Sequence, residues 1–297
     1  MKATIWGCRG SVAAPGPDTL RYGGNTSCVE VRLRDGTTVV LDAGTGLRSL
    51  GRKLLAEGVE EVHLLLSHLH LDHLVGLGFF APLFTRGVAV HLWGPASPVE
   101  SLEERIARYL SPPLFPVHLA EVPSKVVLHD ALEEPWEIGG ARIIADRVSH
   151  NGPTLGYRIE EGGHSLAYVP DHEPALSADL NTIDLQWVSG YRLLAGASVL
   201  MHDAQYTAAE YQGHIGWGHS SIEQVVTLAR RAGVGRLVLF HHDPYHSDTD
   251  LEALEVEACR LWGADGIPPT LGFEGMELDP SLQSQPDGRA PGRAATV

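Results

Sequence analysis

Three histidines and an aspartate fall within six positions, His68-Leu69-His70-Leu71-Asp72-His73. Imidazole and carboxylate are the side chains that hold divalent transition metals. The run follows Glu61 to Leu66, a compact apolar stretch that reads as a strand ending at Ser67. Side chains two apart at a strand end point the same way, so His68 and His70 can converge on one ion. Asp72 and His73 lie just beyond, where the chain turns, and can reach a second ion at the spacing two-metal hydrolases use to hold an attacking hydroxide. The chain has 16 histidines in 297 residues. That count decides nothing, because most histidines are surface or structural groups; their placement decides the chemistry.

The elements that must position such a cluster fit a chain of this size. With 43% hydrophobic residues it can bury a substantial core, and we expect a single catalytic domain over 1-279. From 280 to 297 the chain is rich in Ser, Gln, Pro, Gly and Arg without periodicity, and a disordered tail is expected there. The formal net charge of -15 speaks against an extended nucleic acid as partner, since phosphate contacts need clustered Lys and Arg, although a local basic pocket could take one phosphate. Cys8, Cys28 and Cys259 form no CxxC pair or spaced ligand set, which fits a reducing compartment. The N-terminus lacks a signal-peptide pattern and no apolar window spans a membrane. The expected location is the cytoplasm, with no membrane partner.

Short β-like runs at Ala3 to Trp6, Ser27 to Leu33 and Thr37 to Leu41 alternate with Gly-rich turns, as in a meandering antiparallel sheet. Leu47 to Glu57 has helical character. Between Phe79 and Glu137 prolines break the pattern around one helical run near Val99 to Leu110, which suggests a helix and loops near the mouth of the site. Strands return at Ala141 to Val148, Thr154 to Glu160 and Ser165 to Val169. The last third reads as strand, helix, strand over Ala197 to Met201 and Arg236 to Phe240, with Ser220 and Glu223 as a capping box and Gly233 as the stop.

The His68-x-His70-x-Asp72-His73 motif, with Leu41-Asp42-Ala43-Gly44-Thr45-Gly46 ahead of it, resembles the signature of the metallo-β-lactamase superfamily, over nearly all of the chain through about Asp250. The resemblance implies an α/β fold, a four-layer αββα sandwich with every ligand at one edge of two packed sheets. It also asks for a distant histidine, a bridging aspartate and a final histidine, each at a strand end. His150 suits the first and Asp171 the second. His241 and His242 both follow Leu237 to Phe240, and His241 aligns better. The implied metal sets are His68, His70 and His150 for one ion and Asp72, His73 and His241 for the other, with Asp171 between them. Asp42 would orient a ligand histidine rather than bind metal.

Met201-His202-Asp203-Ala204 and Gly218-His219-Ser220-Ser221 resemble motifs of tRNase Z and related phosphodiesterases. By that resemblance His219 and Asp203 are the candidate catalytic residues: His219 would contact the scissile phosphate and help the leaving oxygen depart, and Asp203 would orient it and favour its protonated form. The competing readings are a histidine ahead of a helix cap and a turn residue after a strand. The expected reaction is in-line attack of a hydroxide held between two divalent ions on a small phosphodiester, such as a cyclic nucleotide or cyclic phosphate. Zinc is the expected metal, with manganese or iron as alternatives, since the mixed ligand set accepts all three.

Thioesterases and lactonases share the metal motif but predict no role for His219. The RNA-binding arm of tRNase Z falls between the positions of His150 and Asp171, where this chain has only a short hairpin, so tRNA 3'-processing is a minor alternative. A non-catalytic metal-binding protein is another, although structural sites are usually closed four-ligand cages. Arg9, Tyr22 and Asn25 lie in Gly-rich loops that border the site in this fold, where they either contact substrate or serve turn chemistry. A homodimer is the family-like expectation, with Phe79, Phe80, Phe84 and Phe115 available for an interface or a pocket wall.

Overall fold

The computed structural model describes residues 1–131, 134–174, 176 and 178–282. Of the tail expected at 280–297, everything after 282 lies outside the described residues. Strand alternation sets the layers. In Thr38–Leu41, Val39 and Leu41 enter one hydrophobic core while Val40 enters another. In Glu61–Leu65, Leu65 joins the first core, and Val62 and Leu64 the second. Strands apolar on both faces must be covered on both. One face packs on a second sheet, and the other is closed by helices Leu47–Ala56 and Leu102–Ala107. Helices Ile222–Arg231 and Asp248–Trp262 close the outer face of the second sheet with Val225, Leu228, Leu251 and Leu254. The outcome is the helix, sheet, sheet, helix sandwich.

Each sheet has seven strands among the described residues. The first runs in the spatial order Glu277–Leu278, Lys2–Gly7, Cys28–Arg32, Thr38–Leu41, Glu61–Leu65, Ala89–Pro95, Lys125–Ala131. The second runs Thr270–Leu271, Leu237–Phe240, Val199–Asp203, His164–Val169, Leu155–Glu161, Ala141–Arg147, Trp136–Ile138. Both are antiparallel on one side and parallel on the other. Thr38–Leu41 starts the parallel half of the first sheet, and His164–Val169 that of the second. Parallel strands carry all their C-terminal ends to one edge, where the connecting loops can converge on a ligand.

Two expectations need correction. The segment from Phe79 to Glu137 is not only helix and loops: Ala89–Pro95 and Lys125–Ala131 are long parallel strands. Prolines dominate the sequence signal there, yet they sit at strand ends and in loops, where a missing N–H costs the ladder nothing. The helix after Gly218-His219 is capped by Ser221 with Gln224, not by Ser220 with Glu223. Ser220 Oγ instead donates to the His172 carbonyl at 2.6 Å, and the helix starts one residue later. Of the four phenylalanines proposed for an interface or pocket wall, Phe80 is core, Phe84 and Phe115 pack against that core, and Phe79 is exposed.

The hairpin Leu155–Glu161 and His164–Val169 turns through Gly162 and Gly163, both at positive φ. It carries Tyr157, whose hydroxyl donates to the Leu66 carbonyl at 2.6 Å across the sheets and just ahead of the histidine motif. Tyr157→Phe is expected to cost about 1–3 kcal/mol by leaving that carbonyl unpaired in a dry core, read as a lower denaturant midpoint at unchanged slope. No helix among the described residues is long and apolar enough to cross a membrane.

Candidate metal centre

Residues that follow the C-terminal ends of strands from both sheets meet at one edge. Asp42 follows Thr38–Leu41, and His68, His70, Asp72 and His73 follow Glu61–Leu65. Asp171 follows His164–Val169, Asp203 ends Val199–Asp203, and His241 follows Leu237–Phe240. Three described non-glycine residues have positive φ: Ser11, Asp42 and His241. All belong to this edge, and Ser11 reaches it through its N–H, which donates to Asp72 Oδ2 at 2.8 Å. Left-handed backbone at such residues is strain that only the surrounding fold sustains, and strain of this kind gathers at functional sites.

The possible ligand atoms form overlapping groups. His68, His70 and His150 lie with theirs within 4.8 Å of one another, as do Asp72, His73 and His241. These are the two sets the family resemblance implies. Asp171 reaches both: Oδ1 is 3.4 Å from His241 Nε2, 3.7 Å from His150 Nε2 and 3.9 Å from His68 Nε2, while Oδ2 is 3.0 Å from His73 Nε2. His242 points elsewhere and donates from Nε2 to the Gly272 carbonyl at 2.8 Å. Burial, with Arg9 nearby, pushes its imidazole down to about 3.

This donor set fits divalent cations. His68 Nε2 and Asp171 Oδ2 are buried without a hydrogen-bond partner. The outer nitrogen of each buried histidine is already engaged. His68 Nδ1 donates to Ser67 Oγ at 3.1 Å, His73 Nδ1 to Asp42 Oδ2 at 2.7 Å, His150 Nδ1 to the Gly218 carbonyl at 2.8 Å and His241 Nδ1 to Gln205 Oε1 at 2.9 Å. Each Nε2 is thereby left as a lone pair facing the cluster, which is how second partners fix the tautomer of a ligating histidine. Burial pushes His68 down, toward the neutral imidazole that binds metal. For His73 burial acts the same way, but Asp171, Asp72 and Asp42 outweigh it and push the group up. The buried carboxylates thus call for positive charge at this spot. His70 is exposed and marks the open side of the cluster.

Asp42 is the hub of the outer network. It also accepts Ser67 N–H at 2.7 Å, Ser67 Oγ at 2.8 Å and the Tyr168 hydroxyl at 2.8 Å. Asp42→Asn is expected to weaken metal affinity by about 10-fold to 100-fold with the fold retained, measured by competition with a chromophoric chelator. Two glycines let the imidazole rings of the cluster approach. A Cβ on Gly10 would stand 2.4 Å from the His241 ring, and one on Gly218, which has φ +91°, would stand 2.3 Å from His150 Nδ1.

His219 and Asp203 lie beside the cluster. His219 Nδ1 is 2.9 Å from Asp203 Oδ2 and 3.8 Å from Asp171 Oδ1, and its ring stacks on His241 at 5.0 Å and 19°. Burial lowers the His219 imidazole, but the Asp203 carboxylate more than compensates, with Asp171 and Asp72 adding to it, and the group is raised to about 9. Asp203 is itself fixed by the N–H groups of His172 and Gln205, both at 3.0 Å.

Gln205, Ser67 and the Gly218 carbonyl, to which no motif assigned this part, are partners of the candidate ligand histidines. Gln205 had a signal available: it lies two residues beyond Asp203, the same spacing that ties His68 to His70. Arg9 is fully buried and donates to the carbonyls of Gly23, Asp243 and His246. Asn25 bonds Glu274 and Thr45, and Tyr22 is buried. A directed chain runs from Ser149 N–H through Ser189 Oγ and His172 to His202, which donates to the Asp203 carbonyl.

Comparison with known proteins agrees with this architecture. The family model described as a beta-lactamase superfamily domain matches residues 37–242. The chain is 29% identical over 250 residues to a protein named Ribonuclease Z from Mycobacterium sp. (strain KMS), an alignment covering 78% of this chain and 81% of that one. Among solved structures it resembles the metallo-beta-lactamase fold protein YhfI from Bacillus subtilis, with a TM-score of 0.67 at 20% identity over 94% of this chain and 99% of the other. It also resembles a diphosphatase from the PhnP family, with a TM-score of 0.62 at 20% identity over 94% and 97% of the two chains. From the 37–242 match and the histidine and aspartate cluster at the shared sheet edge, the chain belongs to the metallo-β-lactamase superfamily, as a hydrolase whose site suits divalent metal ions.

Proposed function

We propose that this protein is a two-metal phosphodiesterase acting on a small phosphodiester, a cyclic nucleotide or cyclic phosphate, with residues 1–279 as one catalytic domain. The observation that carries this reading is the His219–Asp203 pair at 2.9 Å, held against the metal cluster. Departure of an alkoxide from phosphorus is helped by a proton, and an imidazole raised to about 9 carries one at neutral pH. A thioester hydrolase, whose thiolate departs without a proton, has no need of that group. Two divalent ions, zinc in this reading, would supply a nucleophilic hydroxide near neutral pH and neutralise phosphate charge.

His68, His70 and His150 would hold one ion and Asp72, His73 and His241 the other, with Asp171 placed to serve both. Asp42, Ser67, Gln205 and the Gly218 carbonyl keep the imidazoles in the ligating tautomer. His219 holds a proton on the side of the leaving oxygen, and Asp203 orients it. The relative named Ribonuclease Z and the PhnP-family diphosphatase support phosphoester chemistry. Compact substrates are favoured because only one hairpin separates His150 from Asp171 and the net charge is -15.

The test is metal content together with turnover of bis-p-nitrophenyl phosphate, a thioester, a lactone and a precursor tRNA. Phosphodiester turnover is expected to dominate. Dominant thioester or lactone turnover would overturn the phosphodiesterase reading and leave the fold and family standing, and efficient precursor tRNA cleavage would shift the substrate to RNA.

A further inference from the structure

The loop between Tyr211 and His219 presents two large apolar side chains to solvent, Ile215 at 48% and Trp217 at 59% exposure. A single exposed apolar residue carries no message, but this loop is built to hold its shape. The carboxylate of Glu173, only 2% exposed, accepts the Tyr211 hydroxyl at 2.7 Å, Gly216 N–H at 2.9 Å and Gly218 N–H at 2.8 Å. Trp217 N–H donates to the His214 carbonyl at 3.0 Å, and the Trp217 carbonyl accepts from Asn151 Nδ2 at 3.2 Å. Glu173 and Asn151 are two residues beyond Asp171 and one beyond His150, so the loop is tied to the segments that carry the cluster.

The rings continue that connection. The Trp217 indole stands edge-on to His214 with centroids 4.8 Å apart, His214 stacks on Tyr206 at 4.5 Å and 19°, and Tyr206 meets His219 edge-on at 6.0 Å. The Tyr206 hydroxyl accepts from Gln205, the residue that orients His241. A row of braced rings therefore leads from the leaving-group histidine to an indole open to solvent.

We propose that Trp217 is a stacking surface for the nucleobase of a nucleotide substrate, with Glu173 as the positioning residue that holds it in place. A nucleoside phosphate carries its flat, π-faced group one sugar away from its phosphate. The row of rings has the same order, with His219, stacked on His241 of the cluster, at one end and the Trp217 indole at the other. Stacking on a pre-set aromatic needs no base-specific hydrogen bonds, and rigidity spares the ordering cost of binding. The proposal rests on the phosphodiesterase reading for the anchoring of the phosphate, while the base preference is measurable without turnover.

The experiment is calorimetric titration of the protein as purified with AMP and with ribose 5-phosphate, which carries a hydroxyl at the sugar carbon where AMP carries the base. AMP is expected to bind about tenfold more tightly. Trp217→Ala and Trp217→Leu should abolish that difference, Trp217→Phe should retain most of it, and Trp187→Ala, altering another exposed tryptophan, should leave it intact. Glu173→Gln should reduce the preference and lower AMP affinity more than ribose 5-phosphate affinity. Equal affinity for the two ligands in the unaltered protein, or an undiminished preference in Trp217→Ala and Trp217→Leu, overturns the proposal. Bis-p-nitrophenyl phosphate turnover by the same preparations reports separately on the phosphodiesterase reading.

Discussion

Asp171→Asn is expected to lower phosphodiester turnover by at least about a thousandfold and to reduce bound metal below two ions per chain. Asn keeps the size and shape of the side chain, so packing against neighbours that are almost completely buried changes little. What it loses is the negative charge and one of its two acceptor oxygens, so it can no longer present an acceptor to both sides at once. Asp171 sits within 3.0–3.9 Å of Nε2 of His73, His241, His150 and His68, so both ligand sets lose their shared anionic member at once. The histidines are held from behind by Ser67, Asp42, Gly218 and Gln205, and the metal-free protein should therefore keep its fold. Elemental analysis, circular dichroism and turnover on one preparation separate these effects. A variant with two tightly held ions and unaltered turnover would remove Asp171 from the centre.

His219→Ala is expected to lower kcat by about 10²-fold to 10⁴-fold on an alkyl-leaving-group phosphodiester while both metal sets stay filled. The loss should be much smaller on p-nitrophenyl esters, because p-nitrophenolate departs well without a proton. This contrast distinguishes an acid from a ligand: loss of a ligand would depress both substrates alike and lower metal content. The pH profile adds an independent readout. Activity that requires protonated His219 is present at lower pH and is lost as pH rises through about 9, the value set by Asp203 against burial. That alkaline limb should vanish in His219→Ala and move to lower pH in Asp203→Asn, where the stabilising charge is gone. An unchanged limb in both variants would assign the titration elsewhere and leave His219 without a proton-donating role.

Much of the centre was legible in the chain because its ligands are of two kinds that sequence encodes directly. His68, His70, Asp72 and His73 are dense along the chain, and strand alternation says which of them share a face. His150, Asp171 and His241 sit at strand ends, where a family pattern can place them. The sandwich was legible only through the family resemblance of the His68 to His73 motif; that strands such as Thr38–Leu41 are apolar on both faces and need cover on both is what the structure adds. The strands at Ala89–Pro95 and Lys125–Ala131 were hidden because Pro and loop residues around them dominate the local signal, and pairing with a neighbouring strand is a non-local fact.

Residue type and period by themselves singled out the dense His68, His70, Asp72 and His73 cluster as a candidate metal site, while the layered architecture, the distant candidates His150, Asp171 and His241 and the class of chemistry came from the family resemblance that cluster carries. Only the tertiary structure decided between His241 and His242, moved the helix cap to Ser221, made Arg9 a buried tie rather than a substrate contact, and recruited Gln205, Ser67 and the Gly218 carbonyl behind the ligands. The physical reason is that a hydrogen bond is fixed to a few tenths of an ångström by backbones far apart in sequence. At His241 that backbone is left-handed, with φ 59°, and this conformation turns its ring into the cluster while its neighbour's turns toward Gly272.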